Sequence, residues 1–344
     1  MNILILQPQD ICYGLLDNVA YNLGDALKKI GQGFGLEVEY FDLKKEAVSN
    51  LSRFMGREYL AVIDIYSGLL NIKTTDGYFF WDFVNAPVFQ IVLDYPVYID
   101  YMLGTGLKRY YALCMDKYYI DVFNDKYAGI KAFFFPMTGK GLAEIKNWYD
   151  RRYDVCFIGT NRDYRETLNK LDEFEDDVKK IGQLYFDIMI NHAEYNPFQA
   201  FEKTLDELKI ALDTHKKYDL FKEFSGLSRA AMHYYRENMI KAVLDEGVRV
   251  DVFGTSWSDS PLAKYDNLFI HKEVDEEQYM EVLSDSKISL NLLYCNKAGF
   301  SERLGYSALA GSLIMCDESV YAQDVFKDNE SAVFYSLNNL DELC

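Results

Sequence analysis

Cysteine is sparse in this chain, and what there is lies scattered. The six, Cys12, Cys114, Cys156, Cys295, Cys316 and Cys344, contain no C-x-x-C pair. That argues against a zinc knuckle or a disulfide framework and fits a reducing, cytoplasmic setting. The four histidines, His192, His215, His233 and His271, show no ligand spacing, and no carboxylate cluster has it either. No metal or other cofactor is therefore expected. Basic residues are in deficit, 36 against 54 acidic ones, for a net charge of −18. Such a balance predicts no nucleic-acid partner and no acidic membrane surface. No apolar run reaches the ~20 residues of a transmembrane helix. The start, MNILILQPQ, lacks a basic region and reads as a strand instead of a leader, which argues against a secreted sugar-binding protein of two α/β lobes. No G-x-G-x-x-G follows that first strand, so a plain dinucleotide oxidoreductase is disfavoured. Internal repeats and low-complexity tracts are also lacking.

What is present suits two packed domains: 344 residues, 49% of them hydrophobic. Short apolar runs at 2–7, 37–43, 59–65, 88–93, 109–114 and 131–135 read as strands. The segment 17–30 carries Ala20, Leu23, Leu27 and Ile30 at helical spacing. Strands alternating with helices predict a doubly wound parallel sheet with helices on both faces. A connection over 136–153 leads to a second set of runs at 154–159, 248–253, 288–293, 312–316 and 331–335. Domains are thus expected at 1–150 and 151–344. Residues 166–226 are rich in charge, Leu and Phe at helical spacing and read as a helical insertion in the second domain. That insertion is a candidate surface for self-association or a partner.

The most informative stretch is 288–317, ISLNLLYCNKAGFSERLGYSALAGSLIMCD. It reads as strand, polar loop, small-residue helix and strand. Open α/β sheets place ligands at the carboxyl ends of their strands. Ser301, Glu302 and Arg303 fall on the helix's first turn, where free N–H groups and the dipole favour a diphosphate. Arg303 adds a bidentate grip. Two more strand ends carry similar chemistry. Gly159, Thr160, Asn161, Arg162 and Arg165 follow one, and Gly254, Thr255 and Trp257 follow another. In the first domain, Asp10, Tyr13 and Gly14 follow the first strand, while Asp64 and Asp94 end later ones. Each candidate has a plain structural alternative. A Glu at a helix start complements the dipole, surface arginines are solvated, a lone Trp packs, and Asp94 before Pro96 caps a turn.

The run Glu302-Arg303-Leu304-Gly305-Tyr306-Ser307-Ala308-Leu309-Ala310-Gly311, followed by an apolar strand and Asp317, resembles the donor segment of GT-B glycosyltransferases. The likeness is to the CgeB-like branch, which reads roughly E-R-x-F-E-A-M-A-C-G and then a strand ending in Asp. The strands ending in Gly159 and Gly254 are similar to that family as well. The first domain matches in layout only. The resemblance implies two Rossmann-like domains facing across a cleft. It also implies metal-independent transfer of a sugar from a nucleotide-sugar donor to a glycan or protein acceptor. The donor would be held by Gly159, Thr160, Arg162, Gly254, Thr255, Trp257, Ser301, Glu302 and Arg303. The acceptor would lie by Asp10, Tyr13 and Asp64, with Asp94 as a base. Tyr306 stands where the family has a second Glu, which typically holds the ribose. The family also continues further than residue 344. Both departures leave open an alternative: a catalytically inactive binder of glycan or nucleotide, or a scaffold.

Overall fold

The computed structural model describes residues 1–9, 14–139, 141 and 144–343. The chain divides into two compact units, Met1–Pro136 and Met137–Cys344. In the first, β1 (Asn2–Leu6), α1 (Leu15–Gly31), β2 (Glu37–Phe41), β3 (Ala61–Asp64), β4 (Val88–Val92), β5 (Tyr110–Cys114), α2 (Lys117–Lys126) and β6 (Lys131–Phe134) follow in order. The sheet runs β2-β1-β3-β4-β5-β6, all parallel. Ile3, Leu4, Ile5 and Leu6 are all buried, as an unbroken apolar run at the centre of a parallel sheet requires.

Two details differ from expectation. The connections from β3 to β4 and from β4 to β5 contain 3-10 turns at Phe80–Phe83 and Pro96–Tyr98, with no α-helix among their described residues. They are fixed by side chain to backbone bonds, such as Trp81 Nε1 to the Leu69 carbonyl at 2.9 Å. On α1, Ile30 is 79% exposed. The last turn packs through Gly31, where a Cβ would meet the Leu36 side chain, and leaves Ile30 outside.

The second unit opens with β7 (Tyr153–Ile158). Four helices follow: α3 (Tyr164–Asn169), α4 (Asp176–Asn191), α5 (Pro197–Glu207) and α6 (Thr214–Glu223). Then come α7 (Ser225–Asp245), β8 (Val250–Phe253), β9 (Leu268–His271), α8 (Glu276–Ser284), β10 (Ser286–Asn291), α9 (Glu302–Leu309), β11 (Leu313–Asp317), α10 (Val320–Val325) and β12 (Ala332–Tyr335). The parallel order is β12-β11-β10-β7-β8-β9. Counted within the unit this is 3-2-1-4-5-6 read from β9, the Rossmann order. Its switch point lies between β7 and β10, where Ile288 pairs with Val155 and Ser289 with Cys156.

The inserted helices are well determined by local signals. Asn196 and Gln199 form a capping box, with Pro197 at the first position of α5. The insertion is tied to α7 by polar bonds. Tyr185 Oη lies 2.8 Å from Ser228 Oγ, and the Tyr235 hydroxyl donates to the Met189 carbonyl at 2.8 Å. The connection ahead of β7 packs on this same unit. There Arg151 is buried and donates to the carbonyls of Ser286 at 2.8 Å and Gly311 at 2.7 Å.

Candidate functional site

At the switch point of the second unit, the loops leaving β7 and β8 are stitched together by backbone. Gly159 N–H donates to the Phe253 carbonyl at 2.8 Å, and Asn161 N–H to the Thr255 carbonyl at 3.1 Å. Thr255 Oγ1 lies 3.2 Å from Thr160 Oγ1. Gly254 takes a φ of 152°, and a Cβ there would collide with the backbone of Gly159 and Thr160. Only glycine permits this approach.

Trp257 has no free face. It is fully buried, its ring packs edge-on to Phe157 at 5.9 Å, and its Nε1 donates to the Gly159 carbonyl at 2.8 Å. Its expected contact with a donor is corrected on that ground. The indole holds the loop from behind. Arg165 is likewise a structural residue. Its guanidinium forks onto Glu237 at 2.6 and 3.2 Å, tying α3 to α7.

The loop after β10 is pinned from below by Asp317. This buried carboxylate accepts from Leu293 N–H, from Tyr294 N–H at 2.9 Å and from Lys297 Nζ at 3.4 Å. Burial pushes its pKa up, opposed by Lys297 and the two backbone donors. The loop then delivers Ser301 to the N-cap of α9, where its side chain makes no capping bond. Glu302 and Arg303 are half-buried on the first turn and do not pair with each other. Arg303 Nη1 stands 3.7 Å from where a Cβ on Gly159 would be. The loop of β7 and the first turn of α9 are therefore neighbours. Tyr306 is buried, its ring edge-on to Tyr279 at 5.9 Å. It faces the hydrophobic side of α9 and offers no carboxylate.

Two residues that the sequence did not single out join this group. Arg236 of α7 is buried and donates through Nη1 to the Thr160 carbonyl. Burial, then Arg303 and Arg162, lower its pKa to about 9. His233, also buried, is held neutral down to about pH 3 by burial and by Arg236, Arg162 and Arg229. Arg162, Arg229, Arg236 and Arg303 make no ion pair among the described residues. Arginines with no carboxylate paired to them are chemically suited to a polyanion.

In the first unit Asp10 and Tyr13 lie outside the described residues. Asp64 is fully buried and accepts from the Ser67 hydroxyl and from Gln90 Nε2 at 3.0 Å. Desolvation raises its pKa to about 6. Its bonds are internal, so its assignment to the acceptor side is corrected to a structural one. Asp94 is exposed and accepts from the Tyr66 hydroxyl. Among the described residues no group of three or more His, Cys, Asp or Glu could hold a metal ion. No described helix is long and apolar enough to cross a membrane.

Comparison with known proteins gives a family match to one part of the chain. Residues 235–344 match a family model described as glycosyl transferase-like. No curated protein matches. Three solved structures illustrate the similar architectures. AviGT4, a glycosyltransferase of Avilamycin A biosynthesis, is 11% identical over 99% of this chain and 86% of its own, with a TM-score of 0.49. An alpha-glucosyltransferase in complex with UDP is 10% identical over 100% and 89%, with 0.47. The E. coli heptosyltransferase WaaC with ADP is 10% identical over 99% and 93%, with 0.34. With each score below 0.5, no activity or ligand is carried over from them. One expectation is corrected: net charge averages over faces and is silent on any single one, so it does not exclude a nucleic-acid partner. An alpha-glucosyltransferase in this set was solved with UDP-glucose and DNA containing an abasic site. The matched segment runs from the middle of α7 through α9 to the end of the chain, and that part of the chain is similar to the family described as glycosyl transferase-like.

Proposed function

We propose that this protein is a metal-independent GT-B glycosyltransferase of the CgeB-like branch, acting in the cytoplasm. Its second unit binds a nucleotide sugar, and its first unit presents a glycan or protein acceptor. One observation carries the reading. The first turn of α9 sets Arg303 beside Gly159, Arg236 donates to the Thr160 carbonyl, and the exposed Arg162 follows on the same loop, with no carboxylate paired to any. In transfer, the bond from the anomeric carbon to the diphosphate oxygen breaks, and the diphosphate leaves with the electron pair. The acceptor oxygen forms the new bond as its proton goes to a base. The guanidinium groups and the N–H groups of α9 stabilise the charge growing on the leaving group. Asp94, exposed and held by Tyr66, is our candidate base.

Loss of Arg303 tests this directly. Arg303→Ala should lower turnover on the order of 10²-fold with the fold intact, and Arg303→Lys should rescue only in part. Glu302→Gln should reduce transfer with little change in melting temperature. If Arg303→Ala leaves nucleotide affinity and transfer as they were, the assignment is wrong.

A second reading is favoured by Tyr306. The residue that replaces the ribose-holding Glu is packed against Tyr279, which suits a catalytically inactive binder. Nucleotide binding without hydrolysis or transfer from a panel of nucleotide sugars would select it.

A further inference from the structure

In the second unit, buried carboxylates find cations. Asp285 meets Arg152 and Lys146, Asp251 meets Arg249, and Glu237 meets Arg165. Arg236 breaks this pattern from the opposite side. It is a guanidinium 6% exposed with no carboxylate partner. Its Nη1 is used on the Thr160 carbonyl, and its plane lies over the Phe157 ring at 5.2 Å. Its Nε, the Nδ1 of His233 and the Oδ1 of Asn161 are all buried without a hydrogen-bond partner. An uncompensated charge and three unpaired polar atoms in one place are costly. An anion with several oxygen acceptors would relieve the charge and the Arg236 Nε at once.

We propose that Arg236 is a third guanidinium of the phosphate site, meeting the donor's phosphates together with Arg162 and Arg303, with His233 and Asn161 lining the same place. This rests on the donor-site reading above and adds to it a residue that comes from α7, far in sequence from the Glu302–Gly311 run. Because α7 also carries the inserted helices, the same helix that anchors the insertion contacts the ligand. His233 fits this role. It is kept neutral by burial and three arginines, so it adds no charge to an already repulsive group while the site is empty.

Inorganic pyrophosphate is the probe, titrated calorimetrically into the intact chain beside UDP, GDP and ADP. Arg236→Met removes the charge. Arg236→Gln removes it too but keeps a donor for the Thr160 carbonyl. Lys241→Met, at an exposed residue paired with Asp245, is the control. Both Arg236 variants should bind pyrophosphate at least tenfold more weakly than wild type while melting no lower without ligand. The control should bind as wild type does. If Arg236→Met does not fold, Arg236→Gln decides by the same affinity criterion. Wild-type affinity in the Arg236 variants, alongside weakened binding in Arg303→Ala, would overturn this inference and leave the donor-site reading standing. An equal loss in Lys241→Met would overturn it as a nonspecific charge effect. Failure of the wild-type chain to bind pyrophosphate or any nucleotide would remove both.

Discussion

Gly254→Ala is the substitution on which the geometry of the second unit bears most heavily. At a φ of 152°, a methyl group would collide with the Gly159 carbonyl oxygen and come within 2.7 Å of its carbon and 3.1 Å of Thr160 N. All three are backbone atoms, so no side chain can rotate away. Two costs follow. A sparsely populated backbone region costs about 1–3 kcal/mol for a residue with a Cβ, and forced overpacking adds roughly 1–3 kcal/mol. Gly247 separates them, because its φ is 76° and nothing lies within 4 Å of a Cβ there. Gly247→Ala should therefore show the backbone cost alone. The difference between the two variants in urea unfolding free energy should be on the order of 1–3 kcal/mol. Relief of the clash displaces Gly159 and Thr160, which neighbour Arg303, so nucleotide affinity should fall in Gly254→Ala and stay unchanged in Gly247→Ala. Equal stabilities and equal affinities in the two variants would refute the close-approach argument.

Two other outcomes follow from named groups. Transfer should survive a chelator, because Arg303, Arg162 and the N–H groups of α9 are placed to take the leaving group's charge; activity lost in EDTA and restored by magnesium or manganese would contradict this. Asp64 should leave a signature in the pH dependence of stability. Its folded pKa of about 6 is raised from 3.8, so between these values the folded state binds more protons than the unfolded one. Its contribution is thus fully present below pH 3.8 and is lost as pH rises through 6, by on the order of 3 kcal/mol at 1.36 kcal/mol per pH unit. The difference in unfolding free energy between wild type and Asp64→Asn, measured from pH 4 to 7, should shift in that direction. A pH-independent difference would show that Asp64 is not titrating where its burial puts it.

The central strands β7, β8 and β11 were legible because they are short, mostly apolar runs, which strands buried on both faces must be, while β10, SKISLN, showed through the apolar residues at and just beyond its end. The edge strand β9 was not. Its Phe269 and Ile270 are 41% and 42% exposed, and a half-exposed run beside charged residues carries no burial pattern. Glu302, Arg303 and the strand-end glycines were legible as loop and first-turn positions. Whether Trp257 packed or stacked depended on Phe157 and Gly159, which lie far from it in sequence. Arg236 went unmarked although a signal existed. Met232, Arg236, Met239 and Val243 recur at helical spacing, and a charged residue on that apolar stripe is a buried charge in need of a partner. The 3-10 connections of the first unit rest on bonds such as that from Trp81 to Leu69, which no local pattern announces.

The most direct test of the account is a titration of the intact chain with UDP-, GDP-, ADP- and dTDP-sugars, followed by thermal unfolding of wild type and Arg303→Ala. At least one donor should stabilise the wild type, by roughly 2.7 kcal/mol at ~100 times its Kd, and the same donor should have little effect on Arg303→Ala. Stabilisation by none of them, or equal stabilisation of both proteins, would contradict a donor site at Gly159, Arg162 and Arg303.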